Sequence, residues 1–190
     1  MAAPTKIAVF ASGSGSNFQA IQEAIEHGAL NAKVELVVTD KPTAFVVTRA
    51  KNFGIPVLAL NPKEFASKAD YETAIIEALH ECGVDWIVLA GYMRLISEVL
   101  LTAYSQRIVN IHPSLLPSFP GKDAIGQAIA HGVKITGVTV HFVDEGMDTG
   151  PIIAQAAVSV VDGDRQATET AIHKEEHLLY TKALQQLFMS

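Results

Sequence analysis

Asn110 and His112 are the side chains whose types and spacing first suggest chemistry on a carbonyl group. Residues 108–112 read Ile-Val-Asn-Ile-His, a short apolar run that predicts a buried strand. Residues two apart in a strand point to the same face, so the two polar side chains are expected to project together. Pro113 removes a ladder hydrogen bond and ends the strand. An amide and an imidazole aimed at one spot suit a reaction in which a carbonyl oxygen becomes negative.

Asp148, 36 residues after His112, is the predicted third member of this catalytic set. A carboxylate beside an imidazole can orient the ring or relay protons. We predict that Asn110 and protonated His112 stabilise a tetrahedral oxyanion, while Asp148 takes a proton from an attacking amine directly or through water. The alternative is a structural polar cluster. A serine nucleophile is disfavoured because Ser114 lies outside a Gly-x-Ser-x-Gly turn.

A second candidate site is the turn at residues 13–17, Gly-Ser-Gly-Ser-Asn, between an apolar strand and an amphipathic helix. Such a turn leaves backbone N–H groups at the helix N-terminus, where the helix dipole favours a phosphate. Phe18 stands where the dinucleotide fingerprint needs a third glycine, and no Gly-Lys-Ser/Thr follows as in a Walker loop. A monophosphate is therefore the predicted ligand, and a tight turn with a good helix cap is the alternative.

Residues 91–96, Gly-Tyr-Met-Arg-Leu-Ile, follow the apolar strand that precedes the Asn110 strand. Because consecutive strands usually lie side by side, this loop is expected to neighbour Asn110 and His112. Its aromatic, methionine and arginine side chains could border a flat, partly apolar ligand with anionic groups. The alternative is that Met93 and Leu95 pack while Arg94 is solvated.

The composition excludes several classes of function. The net charge of -6 argues against a nucleic-acid partner, which requires a basic face. A single cysteine, Cys82, excludes an internal disulfide, and without a second thiol no metal site is predicted. No targeting signal and no apolar run of about 20 residues is present, so the protein is expected to be soluble and cytoplasmic.

The hydrophobic pattern predicts an α/β fold with a doubly wound, mostly parallel sheet of about seven strands and helices on both faces. Only one loop separates the last two strands, which predicts an antiparallel strand near the C-terminal side. The predicted strands are residues 6–12, 34–39, 57–60, 86–90, 108–112, 135–143 and 152–161. The predicted helices are residues 18–27, 44–53, 71–82, 97–104, 124–131 and 168–187.

Three motifs together resemble the signatures of the folate-dependent formyltransferases. They are residues 110–117 (Asn-Ile-His-Pro-Ser-Leu-Leu-Pro), residues 148–151 (Asp-Thr-Gly-Pro) and residues 91–94 (Gly-Tyr-Met-Arg). The resemblance covers nearly the whole chain, and the serine–glycine loop is similar to that of members acting on a ribonucleotide. It implies transfer of the formyl group of 10-formyltetrahydrofolate, a co-substrate, to the amine of 5-phosphoribosylglycinamide. The products would be the formylated ribonucleotide and tetrahydrofolate, in de novo purine biosynthesis. Relatives acting on tRNA or hydrolysing the folate carry further domains, so residues 1–190 are expected to be a single catalytic domain.

The resemblance also implies a role for individual residues. Asn110, His112 and Asp148 are the implied catalytic set. The implied ribonucleotide contacts are Gly15, Ser16, Asn17, His173, Lys174, Glu175 and Glu176. The implied folate contacts are Lys68, Met93, Arg94, Leu95, Ile96, Asn110, Asp144, Glu145, Gly146, Met147 and Asp148. The chain departs from better-known members at residues 122–125, where some carry histidines.

Two rival functions stay open at this point. The first is a 10-formyltetrahydrofolate hydrolase that uses the same three residues with water as the nucleophile. The second is a non-catalytic nucleotide-binding or sensor protein. In each case small molecules are the expected partners, and the protein is expected to be a monomer or a homodimer.

Overall fold

The computed structural model describes residues 3–189 of the chain. The strands are β1 (Thr5–Phe10), β2 (Ala32–Thr39), β3 (Val57–Ala59), β4 (Trp86–Leu89), β5 (Ile108–His112), β6 (Ile135–Phe142) and β7 (Ile152–Ser159). The helices are α1 (Ser16–Glu26), α2 (Phe45–Asn52), α3 (Lys68–Glu81), α4 (Glu98–Ala103), α5 (Ala124–His131) and α6 (Arg165–Met189), with a 3-10 turn at Pro62–Glu64. No helix in this range is long and apolar enough to cross a membrane.

The strands form one sheet of seven in the order β3-β2-β1-β4-β5-β6-β7. The pairs from β3 to β5 are parallel, and β6 is antiparallel to both β5 and β7. The predicted fold class is therefore confirmed, including the antiparallel strand near the C-terminal side. The order reverses direction at β1, whose end lies between those of β2 and β4, and such a switch point forms a crevice for ligands.

Helices cover both faces of the sheet, and alternate residues of β1 enter two different cores. Ile7 and Val9 pack with residues of α1, α2 and α6, whereas Ala8 and Phe10 pack with residues of α3 and α4. Alternation along a strand sends neighbouring side chains to opposite faces, so a strand covered on both sides reads as continuously apolar. This explains why the early strands were recognisable in the sequence as unbroken apolar runs.

Three helices begin two or three residues earlier than the hydrophobic pattern predicted, namely α1, α3 and α6. The helix α3 begins at Lys68 because the Ser67 hydroxyl accepts a hydrogen bond from the Asp70 backbone N–H, at 3.1 Å. The helix α6 begins at Arg165, where the Asp164 carboxylate accepts one from the Ala167 N–H at 2.8 Å. Both are N-caps that start a helix before its first buried apolar residue. The prediction that Lys68 precedes the helix was therefore wrong, because it is the first helical residue.

Candidate active site

Asn110 and His112 lie at the end of β5 and on the same face of the sheet, as predicted. His112 is buried, with 5% of its surface exposed, and Asn110 is partly exposed. The strand pairs with β4 through Leu89 and Asn110, so the loop after β4 emerges beside the Asn110 side chain. The strand geometry thus delivers an amide and an imidazole to one place, next to the 91–96 loop.

Asp148 reaches these two residues because its loop folds back over the sheet. The strand β6 is antiparallel, and its end lies beside the beginning of β5, where the Val143 N–H donates to the Ile108 carbonyl at 3.0 Å. The chain then returns along the length of β5, about 13 Å at the usual rise per residue. Asp148 Oδ2 lies 3.4 Å from His112 Nδ1 and accepts a hydrogen bond from the Gly121 N–H at 2.8 Å.

The backbone of Asp148 has a positive φ of 57°. Aspartate and asparagine are the non-glycine residues that tolerate this left-handed region best. A strained backbone held in place by its surroundings is a feature that clusters at functional sites. The conformation turns the Asp148 carboxylate toward Gly121 and His112, so the predicted convergence of three residues is present.

The imidazole of His112 lies between two acceptors. Its Nε2–H donates to the Phe119 carbonyl oxygen at 2.9 Å, which fixes the ring plane. Its Nδ1 faces Asp148 at 3.4 Å, longer than the 2.7–2.9 Å of a strong charge-assisted hydrogen bond. This separation leaves Nδ1 free to interact with a further group besides the carboxylate.

His141 is a fourth member of the site that the sequence reasoning missed. It lies directly opposite Asn110 in the β5–β6 ladder and is 2% exposed. Burial lowers the pKa of His141, and the ring is neutral at pH 7. Its Nδ1–H donates to the Phe142 carbonyl at 2.8 Å, so Nε2 accepts a hydrogen bond from the Asn110 amide nitrogen at 3.3 Å.

The position of His141 in the middle of a strand indicated a packed or edge-facing side chain, and the register that places it opposite Asn110 is a tertiary property. The pairing holds the Asn110 amide nitrogen toward the site and leaves its second N–H for a substrate. The distance of 3.8 Å from His141 Nε2 to Asp148 Oδ1 is then a contact between a neutral ring and a carboxylate.

The predicted phosphate loop connects β1 to α1, and Gly15 is the residue in it with the strictest structural requirement. Gly15 has a φ of 75°, and a Cβ atom there would come within 2.6 Å of a Val46 side-chain carbon. Position 15 therefore requires glycine for both backbone conformation and space. No side chain caps the first turn of α1, so its N–H groups remain available to an anion.

The helix α2 holds this loop from behind. The Val46 N–H donates to the Gly13 carbonyl at 3.1 Å, and Arg49 Nε donates to the Ser14 carbonyl at 2.7 Å. A second Arg49 nitrogen donates to the Gln19 side chain in α1. Two carbonyl groups are thereby turned toward α2, an arrangement that suits a loop whose amides bind an anion.

Glu176, which the resemblance implied as a ribonucleotide contact, lies on α6 beside Asn17 of the predicted phosphate loop. The Asn17 amide nitrogen donates to Glu176 Oε2 at 3.4 Å, and the Asn17 Oδ1 atom is buried without a hydrogen-bond partner. His173, one turn earlier, donates to the same Glu176 oxygen at 2.8 Å, and this hydrogen bond raises the pKa of His173. An unpartnered buried oxygen beside a carboxylate indicates a place where a ligand donor is accepted.

Lys174 and Glu175 were predicted on the same surface, and the structure does not bring them to the loop. Residues three apart on a helix share a face, which places His173 and Glu176 together and turns the two intervening residues away. Lys174 is exposed and Glu175 is half-buried. The motif alone could not separate them, because four consecutive polar residues do not fix which side of a helix faces inward.

Exposed and less exposed side chains alternate along the part of the 91–96 loop that carries the predicted folate contacts. Met93 and Leu95 are 71% and 57% exposed, whereas Ile96 is buried in the core beneath α3 and α4. The Arg94 guanidinium lies over the Tyr71 ring at 5.4 Å from its centroid, and its Nε atom is buried without a hydrogen-bond partner. Two exposed apolar side chains at a strand end offer contact to a flat ligand.

The acidic loop at residues 144–148 borders the same side of the site. Asp144 shapes the loop by accepting hydrogen bonds from the Gly146 N–H at 3.0 Å and the Thr149 hydroxyl at 2.7 Å. Glu145 is exposed, and Met147, 49% exposed, lies against Gly121, where an added Cβ would be 3.0 Å from its sulfur. The loop therefore supplies a second apolar contact next to Asp148.

Lys68, predicted at the folate tail, lies in the first turn of α3. Its Nζ is 4.0 Å from Glu72 Oε1, and its side chain is 41% exposed. Glu72 is buried and accepts hydrogen bonds from the backbone N–H groups of Ser97, at 3.0 Å, and Leu100, at 3.3 Å. Lys68 thus extends from the carboxylate that anchors the end of the 91–96 loop.

Known proteins resemble this chain along nearly its whole length. The chain matches the formyl transferase family over residues 5–184. It is 55% identical over 183 residues to a phosphoribosylglycinamide formyltransferase of Bacillus subtilis, covering 96% of this chain and 94% of the relative. The crystal structure of phosphoribosylglycinamide formyltransferase from Bacillus halodurans has a TM-score of 0.94 and 54% identity, covering 96% and 95% of the two chains. Glycinamide ribonucleotide transformylase 1 from Geobacillus kaustophilus has a TM-score of 0.94 and 56% identity, covering 97% and 98%. This chain therefore belongs to the formyl transferase family.

Proposed function

We propose that the protein transfers the formyl group of 10-formyltetrahydrofolate to the amine of 5-phosphoribosylglycinamide, in purine biosynthesis. The observation that carries the proposal is the convergence of Asn110, His112 and Asp148 beside a glycine-rich phosphate loop. The likeness to phosphoribosylglycinamide formyltransferases along nearly the whole chain supports the choice of substrates. In this proposal residues 1–190 act as one catalytic domain on small molecules in the cytoplasm.

The ribonucleotide is placed by the N-terminus of α1 and by α6. Its phosphate accepts hydrogen bonds from the backbone N–H groups at Gly15, Ser16 and Asn17, where the helix dipole adds a favourable field. Glu176, held by His173 and Asn17, accepts from the hydroxyl or amine groups of the ligand. These contacts fix the distance between the phosphate and the reacting amine.

The folate lies between two apolar edges. Met93 and Leu95 on one side and Met147 on the other offer exposed apolar surface to the pterin ring. Lys68, at the start of α3, carries a positive charge that suits the anionic tail of the folate. The formyl carbon is then directed toward Asn110 and His112 at the end of β5.

The chemical step adds the glycinamide amine to the formyl carbon. As the nitrogen–carbon bond forms, the formyl oxygen becomes negative and accepts hydrogen bonds from the free Asn110 N–H and from His112 Nδ1–H. Asp148 takes the proton that the nitrogen loses, directly or through water, and the stabilised tetrahedral intermediate then collapses. The carbonyl group re-forms as the bond to the folate nitrogen breaks, this nitrogen receives the proton held by Asp148, directly or through water, and tetrahydrofolate leaves.

The test is the consumption of 10-formyltetrahydrofolate with and without phosphoribosylglycinamide, followed by absorbance and by mass analysis of the products. The proposal expects loss of the formyl group only when the ribonucleotide is present, with formation of one equivalent of the formylated ribonucleotide. Equal rates with and without the ribonucleotide would identify a hydrolase. Binding of both ligands without any turnover would identify a non-catalytic binding protein.

A further inference from the structure

Ser12 stands at a junction between the two loops to which the proposed function assigns the substrates. It follows β1, whose end lies between those of β2 and β4, and it immediately precedes the phosphate loop. Its side chain is buried, with 3% of the residue exposed. A buried hydroxyl at such a switch point needs hydrogen-bond partners, and those of Ser12 come from both neighbouring strand ends.

Three hydrogen bonds of Ser12 reach across the crevice. Its backbone N–H donates to the Gly91 carbonyl at 3.0 Å, and its Oγ accepts from the Met93 N–H at 2.9 Å. Its hydroxyl proton is donated to Asp40 Oδ1 at 2.5 Å, just after the end of β2. Because a serine has a single hydroxyl proton, the bond to Asp40 leaves the oxygen lone pairs free for Met93.

The other hydrogen bonds of the two loops go to different helices. The phosphate loop is tied to α2 through Val46 and Arg49, and the 91–96 loop is tied to α3 through Tyr71 and Glu72. A second contact to α3 is the hydrogen bond between the hydroxyl groups of Tyr92 and Tyr71, at 2.8 Å. The Tyr92 ring also packs edge-on against Phe10 of β1, at 5.3 Å between ring centroids. Ser12 therefore links by hydrogen bonds two loops whose other hydrogen bonds go to different helices.

We infer that Ser12, oriented by Asp40, is a positioning residue that couples the ribonucleotide subsite to the folate subsite. A ligand that orders the phosphate loop also fixes Ser12 and the Met93 amide, so the second ligand meets a loop that is already ordered. Such coupling is reciprocal, and each ligand tightens the binding of the other by the same factor. This inference rests on the proposed function for the identity of the two ligands.

The test measures this coupling factor by calorimetry with tetrahydrofolate and 5-phosphoribosylglycinamide, a pair that binds without reacting because no formyl group is present. We expect the wild-type protein to bind tetrahydrofolate about tenfold tighter when the ribonucleotide is saturating, within the usual range of coupling between sites. Ser12→Ala should reduce the factor to about one. Asp40→Ala should reduce it similarly, and Asp40→Asn, which keeps an acceptor for the Ser12 hydroxyl, should restore most of it.

Tyr104→Phe is the matched control, because it also removes one buried hydroxyl. The Tyr104 hydroxyl donates to the Val84 carbonyl at 3.3 Å, ahead of β4 and away from the strand end that carries the 91–96 loop. Its coupling factor should equal that of the wild type. A wild-type factor of one, or a Ser12→Ala variant that keeps the wild-type factor, would overturn the inference. Failure of the wild type to bind both ligands or to transfer the formyl group would instead refute the proposed function.

Discussion

Replacing Asp148 by asparagine removes one negative charge and one proton acceptor while keeping the shape of the side chain. The asparagine oxygen can still accept the Gly121 N–H, which lies 2.8 Å from Asp148 Oδ2. Asparagine also tolerates the φ of 57° at this position as well as aspartate does. We therefore expect the free energy of unfolding to change by less than about 1 kcal/mol.

The effect on catalysis should be much larger. The carboxylate lies 3.4 Å from His112 Nδ1 with 13% of its side chain exposed, which places the pair near the surface of the site but largely out of water. At an effective dielectric constant of about 20 to 40, a charge at this distance stabilises an imidazolium by roughly 2.5 to 5 kcal/mol. The loss corresponds to a decrease in kcat of roughly 70- to 5,000-fold.

The assay is steady-state formyl transfer from 10-formyltetrahydrofolate, with tetrahydrofolate binding measured in parallel by calorimetry. Asp162→Asn is the matched control, because the Asp162 side chain is 73% exposed and, within residues 3–189, forms an ion pair only with the surface residue Lys134. Its kcat should equal that of the wild type. A kcat for Asp148→Asn above one tenth of the wild-type value, in a folded protein, would refute the assignment of the carboxylate. Equal loss of folding and of folate binding would support a structural role for the cluster.

Three further substitutions test separate parts of the site. Asn17→Ala should raise the KM for phosphoribosylglycinamide about tenfold and leave the KM for the folate within twofold, because the Asn17 amide joins the phosphate loop to Glu176. A larger rise in the KM for the folate than in the KM for the ribonucleotide would contradict the phosphate assignment. His141→Ala should lower kcat about tenfold with little change in either KM, since the Asn110 amide loses its partner; an unchanged kcat would mean that other contacts orient Asn110. The hydrogen bond to Glu176 raises the pKa of His173, so their pairing stabilises the fold below the ordinary histidine pKa of about 6.5 and is lost as pH rises through the higher folded value. Denaturant unfolding should therefore show His173→Gln to be more destabilising at pH 5.5 than at pH 9, and an equal difference at both would contradict the pairing.

The fold was predictable because its determinants are local in the sequence. Unbroken apolar runs separated by helical segments dictate a sheet covered on both faces, and the single loop between the last two strands dictates an antiparallel pair. The helix starts were less accessible, since Ser67 and Asp164 cap helices whose first turns carry no apolar pattern. Capping depends on backbone geometry that hydrophobic periodicity does not record.

The sequence by itself was enough to predict which residues carry the proposed chemistry, because Asn110 and His112 are two apart in one strand and residues 13–17 form a glycine-rich turn between a strand and a helix. The tertiary structure decided which side chains from distant segments contact these residues. The register of β6 against β5 placed His141 beside Asn110, and the return of the loop after β6 brought Asp148 to His112. The burial of Ser12 between Asp40 and Met93 was likewise decided by the strand order. The physical reason is that side-chain direction follows from the local backbone, whereas contacts between distant segments depend on sheet order and register.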